Sequence, residues 1–217
     1  MADEPRLLPL FPLNTVLFPH MQLPLRVFEP RYRQMLDYCL AQDRVFGVVL
    51  IREGREVGGV ANPYDVGTVA HVDNVEKLPD GTLAVTTTGQ RRFRLMEVVQ
   101  NRPYLVGSVT YLDDPDGGRD GAPSAPEVRS AAQRALGRML ALNSEWVRDV
   151  PLPRASSRLS FALAAKLPID LTERQALLEA LTAEERLRME LPLLRGEVER
   201  ADSLVAQREW LGSLKLN

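Results

Sequence analysis

Side chains able to ligate a metal or attack a carbon centre are few in these 217 residues. His20 and His71 are the only histidines, and Cys39 is the only cysteine. A zinc site needs several N or S ligands at close spacing, usually on tight turns. These three are scattered, and Cys39 falls on the apolar face of a helical pattern, where a thiol is ordinarily core. No metal is expected. A Ser-His-acid triad can assemble on any fold, but no Gly-x-Ser-x-Gly elbow is present. Acidic pairs such as Glu184 and Glu185 read as helix capping and solvation. Nucleotide hydrolysis would need a Gly-x-x-x-x-Gly-Lys-Ser/Thr loop to cradle phosphate. None of Lys77, Lys166 and Lys215, the only lysines, follows a glycine; Gly54 and Gly59 have the right separation, but Val60 stands where lysine is required. The expectation is a chain with no catalytic residues and no cofactor, hence not an enzyme.

The elements are legible from periodicity. Val66 to Leu95 reads as one long β-hairpin about the turn Pro79-Asp80-Gly81, where Pro presets φ, Asp bonds its own backbone and Gly takes φ > 0. After the turn, Leu83, Val85, Thr87, Phe93 and Leu95 share one parity, and Ala84, Thr86, Thr88, Gln90, Arg92 and Arg94 the other. Before it, Val69 and Val75 disagree in parity with Val72 and Leu78, which a bulge near Asp73-Asn74 reconciles. Leu7 to Phe28 is apolar but broken by Pro9, Pro12, Pro19 and Pro24, so it predicts short strands at a sheet edge or seam. Helix starts at Glu29-Pro30, with Phe28, Tyr32, Met35, Leu36, Cys39 and Leu40 on its apolar face. Val45 to Ile51 is a continuous apolar run, a strand covered on both faces. Arg52 to Asp65 reads as a loop, and Tyr104 to Leu112 as a further strand.

The composition changes at Asp113 to Pro126, which holds almost nothing that can be buried and reads as a flexible connector. Beyond it the period becomes helical. Val128, Ala132, Ala135, Leu136 and Met139 form one stripe, and Leu159, Leu163 and Leu167 another before Pro168. Capping boxes are expected at Ser124–Glu127, Thr172–Gln175 and Thr182–Glu185. Pro192 is expected to kink or break the last helix. The tail helix is expected to dock on the helical bundle or to offer Trp210 to a second copy of the chain. The fold class is α+β, with domains at 7–113 and 127–217 joined by a linker at 114–126.

Net charge is −2, which gives no general attraction to nucleic acid or anionic lipid. No apolar run is long enough to span a membrane. The start, MADEPRLLPLFPL, lacks the basic region of a signal peptide. With a single cysteine, this makes the cytoplasm the default expectation.

Three blocks carry a family resemblance. LPLFPLNTVLFPHMQLPLRVFEPRY and VGTVAHVDNVEKLPDGTLAVTTTGQRRFRL resemble the N-terminal, substrate-binding domain of Lon proteases. LAAKLPIDLTERQALLEALTAEERLRMELPLL resembles the helical part that follows in that family. A related domain occurs in the substrate receptor cereblon. The resemblance implies a PUA-like β-barrel carrying one or two helices, then a C-terminal α-helical bundle. It also implies binding of unfolded or tagged polypeptides, as an adaptor or regulator of proteolysis without ATPase or peptidase modules. The alternative it leaves open is a PUA-like barrel for RNA or a small ligand.

Five residues are the binding candidates. Phe18, His20 and Met21 lie at a proline corner that either grips apolar client segments or plugs the barrel with Phe18 and Met21. Tyr64 lies in the loop after Arg52. Arg91 belongs to the basic run Arg91-Arg92-Phe93-Arg94, where an aromatic between arginines could stack on a base. The expected arrangement there sends Arg92 and Arg94 to solvent and Phe93 into the core, with Arg91 at the barrel mouth or snorkelling outward.

Overall fold

The structure, a computed structural model, describes residues 4–56, 58, 61–100, 103–114, 125–142 and 151–214. In chain order the elements are β1 (Arg6–Leu13), β2 (Gln22–Val27), α1 (Pro30–Leu40), β3 (Val45–Gly54), β4 (Ala61–Pro63), β5 (Val66–Lys77), β6 (Leu83–Gln100), β7 (Leu105–Tyr111), α2 (Ala125–Leu142), α3 (Ser156–Ala164), α4 (Leu171–Glu179) and α5 (Ala183–Leu214). They divide into two compact units: Met1–Asp114 with Pro168–Glu179, and Pro115–Leu167 with Ala180–Asn217.

Unit 1 is a mixed, partly closed sheet built around β6. The first half of β6 pairs with β2 and its second half with β7, while β5 runs along its other side. β1 pairs antiparallel with β7 over Arg6–Leu10 and parallel with β3 over Leu10–Leu13, so the strand path β1-β7-β6-β5-β3 returns to β1. The proline-broken start is therefore a seam, as its missing ladder donors require. The hairpin turn is also as read. Gly81 has φ 81, and the Asp80 carboxylate accepts hydrogen bonds from Thr82 Oγ1 at 2.7 Å and Thr82 N at 2.9 Å. These bonds, with the Arg26 guanidinium beside it, pull the Asp80 pKa down to about 2. The loop read at 52–65 is partly strand: β3 continues to Gly54, and β4 pairs back onto it.

Two apolar clusters occupy opposite parities of β1, β3 and β5. Phe11, Phe46, Val48, Ala70, Val72 and Val85 pack with Tyr32, Met35, Leu36 and Cys39 of α1. Leu8, Leu10, Val49, Val69, Phe93 and Val109 form the other. β3 thus has both faces covered, as its unbroken apolar run predicts. Phe93 is fitted closely: a Cβ at Gly47 or at Gly67 would lie 2.7 Å from its ring. Phe28 is a correction. It precedes the helix and is 49% exposed, because α1 begins only at Pro30.

Bulges decide which face each β6 residue takes. The β5–β6 register shifts between Val72 and Asn74, where the sequence called for a bulge. It shifts again between Thr68 and Ala70, which pair with Arg92 and Gly89. This second bulge places an extra β6 residue at Gln90–Arg91 and reverses the parity. Val85 and Phe93, both odd, consequently lie in different clusters. Arg92 is not on a solvent face: it is 1% exposed. Its Nε and Nη2 donate to Asp114 at 3.0 and 2.7 Å, and its Nη1 to the Leu178 carbonyl at 2.6 Å.

That last bond ties α4 to unit 1, together with Gln175 Nε2 donating to the Val66 carbonyl at 3.0 Å. The sequence reading grouped this helix with the helical part at 127–217; in the structure its contacts are with the sheet. Its N-cap also differs. Asp170 and Glu173 cap reciprocally, Glu173 N donating to Asp170 Oδ1 at 2.8 Å and Asp170 N to Glu173 Oε2 at 3.1 Å. Gln175 does not serve the expected Thr172 box: its side chain is turned onto the sheet, with Nε2 on the Val66 carbonyl.

In unit 2, α2 and α3 pack on α5. Val128, Ala132, Ala135, Leu159, Leu163 and Leu167 are buried as their spacing predicts, and Thr182 caps Glu185 N at 3.1 Å. α5 runs unbroken through Pro192. Of the linker expected at 114–126, residues 115–124 with the Ser124 cap lie outside the described residues, as do the side chains of Met139, Val205 and Trp210, whereas Ala125 and Pro126 already belong to α2.

Candidate functional site

β2 is the strand that shapes an apolar groove of unit 1. It pairs with β6 alone among the described strands. Its burial alternates, with Pro24 and Arg26 exposed, Leu23 and Leu25 half-buried and Val27 buried. A proline on such an edge blocks one ladder position. The groove beside it encloses about 250 Å³ and is lined by Phe11, Leu13, Pro24, Leu25, Val27, Phe28 and Tyr32, with Arg26, Glu29 and Glu56 at polar positions. Phe11 stacks on Tyr32, ring centroids 4.0 Å apart. Burial raises the Tyr32 phenol to about pKa 12, so it stays neutral.

The polar residues are fixed by their own bonds. Glu29 Oε2 accepts from Arg31 Nε at 3.1 Å and from Gly58 N at 3.3 Å. Arg31 Nη2 donates to the Glu56 carbonyl at 3.1 Å, and Glu56 Oε2 accepts from Asn14 N at 2.9 Å. Arg26 pairs with Asp80. The result is an apolar trough with a fixed polar rim and an exposed phenyl at Phe28. No nucleophile–base pair lines it. Among the described residues, no group of three His, Cys, Asp or Glu is gathered to hold a metal. Cys39 is buried, and burial raises its thiol to about pKa 12.

None of the five sequence candidates lines this groove. Phe18 is fully buried, in keeping with the plug reading. Its corner is fastened to β6 by His20 N donating to Gly89 O at 2.7 Å and Gly89 N to Met21 O at 2.8 Å. His20 is exposed at φ 66, and Met21 packs half-buried against the α1 cluster. Tyr64 lies under the Arg52 guanidinium, 4.8 Å from ring centroid to Cζ. Arg91 is exposed over the Tyr111 ring at 3.1 Å. The residues missed were Leu25, Phe28 and the Phe11–Tyr32 stack. The available signal was Phe28 immediately before a helix opened by Pro30, a place where a large apolar side chain need not be core.

Among known proteins, the family model for the ATP-dependent protease La (LON) substrate-binding domain matches residues 7–196. Lon protease 2 of Herpetosiphon aurantiacus is 31% identical over 199 residues, covering 88% of this chain and 24% of its own length. Lon protease of Escherichia coli K12 is 29% identical over 198 residues, with 25% of its length covered. The chain thus spans about a quarter of these relatives. Among solved structures, a Lon N-terminal domain protein from Xanthomonas campestris aligns with TM-score 0.67 at 29% identity, covering 86% of this chain and 98% of that one. The N-terminal domain of Mycobacterium avium complex Lon protease shares the fold at TM-score 0.64 and 19% identity. With the family model covering most of its length, this chain belongs to the Lon substrate-binding domain family.

Proposed function

We propose that the chain is a non-catalytic polypeptide-binding module, in which unit 1 acts as a PUA-like β-barrel and unit 2 as a helical bundle. Its groove along β2 takes apolar segments of unfolded or tagged proteins. The role is that of an adaptor or regulator of proteolysis in the cytoplasm, needing no ATP. The observation that carries the reading is Phe28, half-exposed at the lip of an apolar trough beside a singly paired strand. An extended segment with an apolar anchor matches such a surface in shape and chemistry. The RNA alternative is weakened by Arg92, which is buried against Asp114 and cannot reach a phosphate.

The test is binding of a reduced, unfolded model protein and its native form to the whole chain. We expect the unfolded form to bind more tightly and Phe28→Ala to weaken it about tenfold, in line with loss of a buried aromatic anchor. Added salt should have little effect, whereas RNA binding would fall steeply. Equal affinity for the two forms would overturn the proposal.

A further inference from the structure

A second cleft in unit 1 is lined by Arg52, Tyr64, Asp65, Val66, Arg94 and Glu179 and encloses about 320 Å³. It shares no residue with the groove beside β2. Three of its four charges are engaged within the chain. Arg52 lies over the Tyr64 ring and 3.6 Å from the Asp65 carboxylate. Glu179 accepts from Gln175 Nε2 at 2.8 Å, and Gln175 is itself anchored on Val66. The fourth is Arg94. It sits opposite Val66 in the β5–β6 ladder, is exposed, and its guanidinium has no ion pair, hydrogen bond or ring contact among the described residues.

A guanidinium offers a planar fork of donors that matches one carboxylate at two points. Here it is mounted on a paired strand beside an aromatic ring already held by a second arginine. The Arg52–Asp65 contact is longer than a hydrogen bond, so Arg52 can turn toward an incoming anion at small cost. Asp65 and Glu179 also line the cleft. Their charge disfavours a dense anion such as phosphate and leaves a single carboxylate flanked by amides as the better match.

We propose that this cleft is a carboxylate subsite, taking an acidic side chain or a chain terminus onto Arg94 with Arg52 as second donor. It rests on the polypeptide-binding reading only for the source of the carboxylate. The experiment follows the arginine Nε–Hε signals of the whole chain by NMR. The chain is titrated with acetyl-Ala-Glu-Ala-amide, its Gln counterpart, and acetyl-Ala-Ala with a free C-terminus. We expect a saturable Arg94 shift with the Glu peptide, the free terminus or both, with at least tenfold weaker response to the Gln peptide. Arg94→Gln should abolish the remaining cleft shifts, and Arg91→Gln should leave them unchanged. No Arg94 shift, equal response to Glu and Gln peptides, or cleft shifts that survive Arg94→Gln would overturn it. Failure of the groove reading is separate: it shows as loss of preference for unfolded protein, with Arg94 still responding to the peptides.

Discussion

Among the described residues each unit buries one arginine, and the two are handled differently. Arg92 in unit 1 is matched by Asp114 through two charge-assisted bonds, with Leu178 O taking a third. Arg186 in unit 2 is fully buried over the Phe161 ring, 3.7 Å from its centroid, and donates to Ser160 Oγ at 2.7 Å. One turn further along α5, Glu190 is also fully buried, and neither carboxylate oxygen has a close hydrogen-bond donor among the described residues. Burial pushes its pKa well above the usual carboxylate range; Arg186 and the nearby Ala164 backbone oppose the shift without cancelling it. In unit 1 the buried charge is neutralised by a partner. In unit 2 burial itself disfavours the charged form of the carboxyl. The lesson is that a buried ionisable group can be accommodated in two ways, by an ion-pair partner or by disfavouring its charged form.

Breaking the first arrangement should have the largest effect. Arg92→Met strands the Asp114 carboxylate and the end of α4, and we expect a loss of ~3–5 kcal/mol in urea unfolding. Pairing it with Asp114→Leu should recover much of that loss. If the double variant is no better than the single one, the ion pair is not what holds this site.

Glu190→Gln sharpens the contrast through pH. The folded pKa lies above the unfolded one, so the folded state binds the extra proton between the two values. Stability is therefore fully present below about pH 4.3, the unfolded value, and falls as pH rises toward the folded pKa. The slope is at most ~1.4 kcal/mol per pH unit. Glu190→Gln should flatten this decline, raising the thermal midpoint at pH 8 while changing it little at pH 4. An identical pH profile for wild type and variant would mean that Glu190 does not titrate with folding. The smallest effect tests how α4 is set: Asp170→Ala should cost about 1 kcal/mol and Thr172→Ala almost nothing. The reverse order would restore the cap expected from sequence.

Much of unit 1 could be read before any coordinates. The α1 face of Tyr32, Met35, Leu36 and Cys39, the double cover of β3, the Asp80-Gly81 turn and the bulge after Val72 all follow from spacing along short stretches. The site was less legible. Phe18 could be read as either a surface grip or a barrel plug and is core, while Phe28 looked like core and is surface. Both lie within two residues of a proline, where a period of 2 or 3.6 has too few residues to declare itself. Arg92 was misplaced because one unseen bulge at Gln90–Arg91 reverses the parity of β6 at that point.

The amino-acid order alone determined element types, their apolar faces and the family, because these depend on residues within a few turns or within one hairpin. Only the tertiary structure decided that α4 packs on the sheet, that Arg92 meets Asp114, that Gln175 reaches Val66 and so leaves capping to Asp170, and that a trough opens beside β2. Each of these joins residues far apart in the chain. Their pairing follows from cross-strand register and from which surface covers which, quantities that no local period encodes.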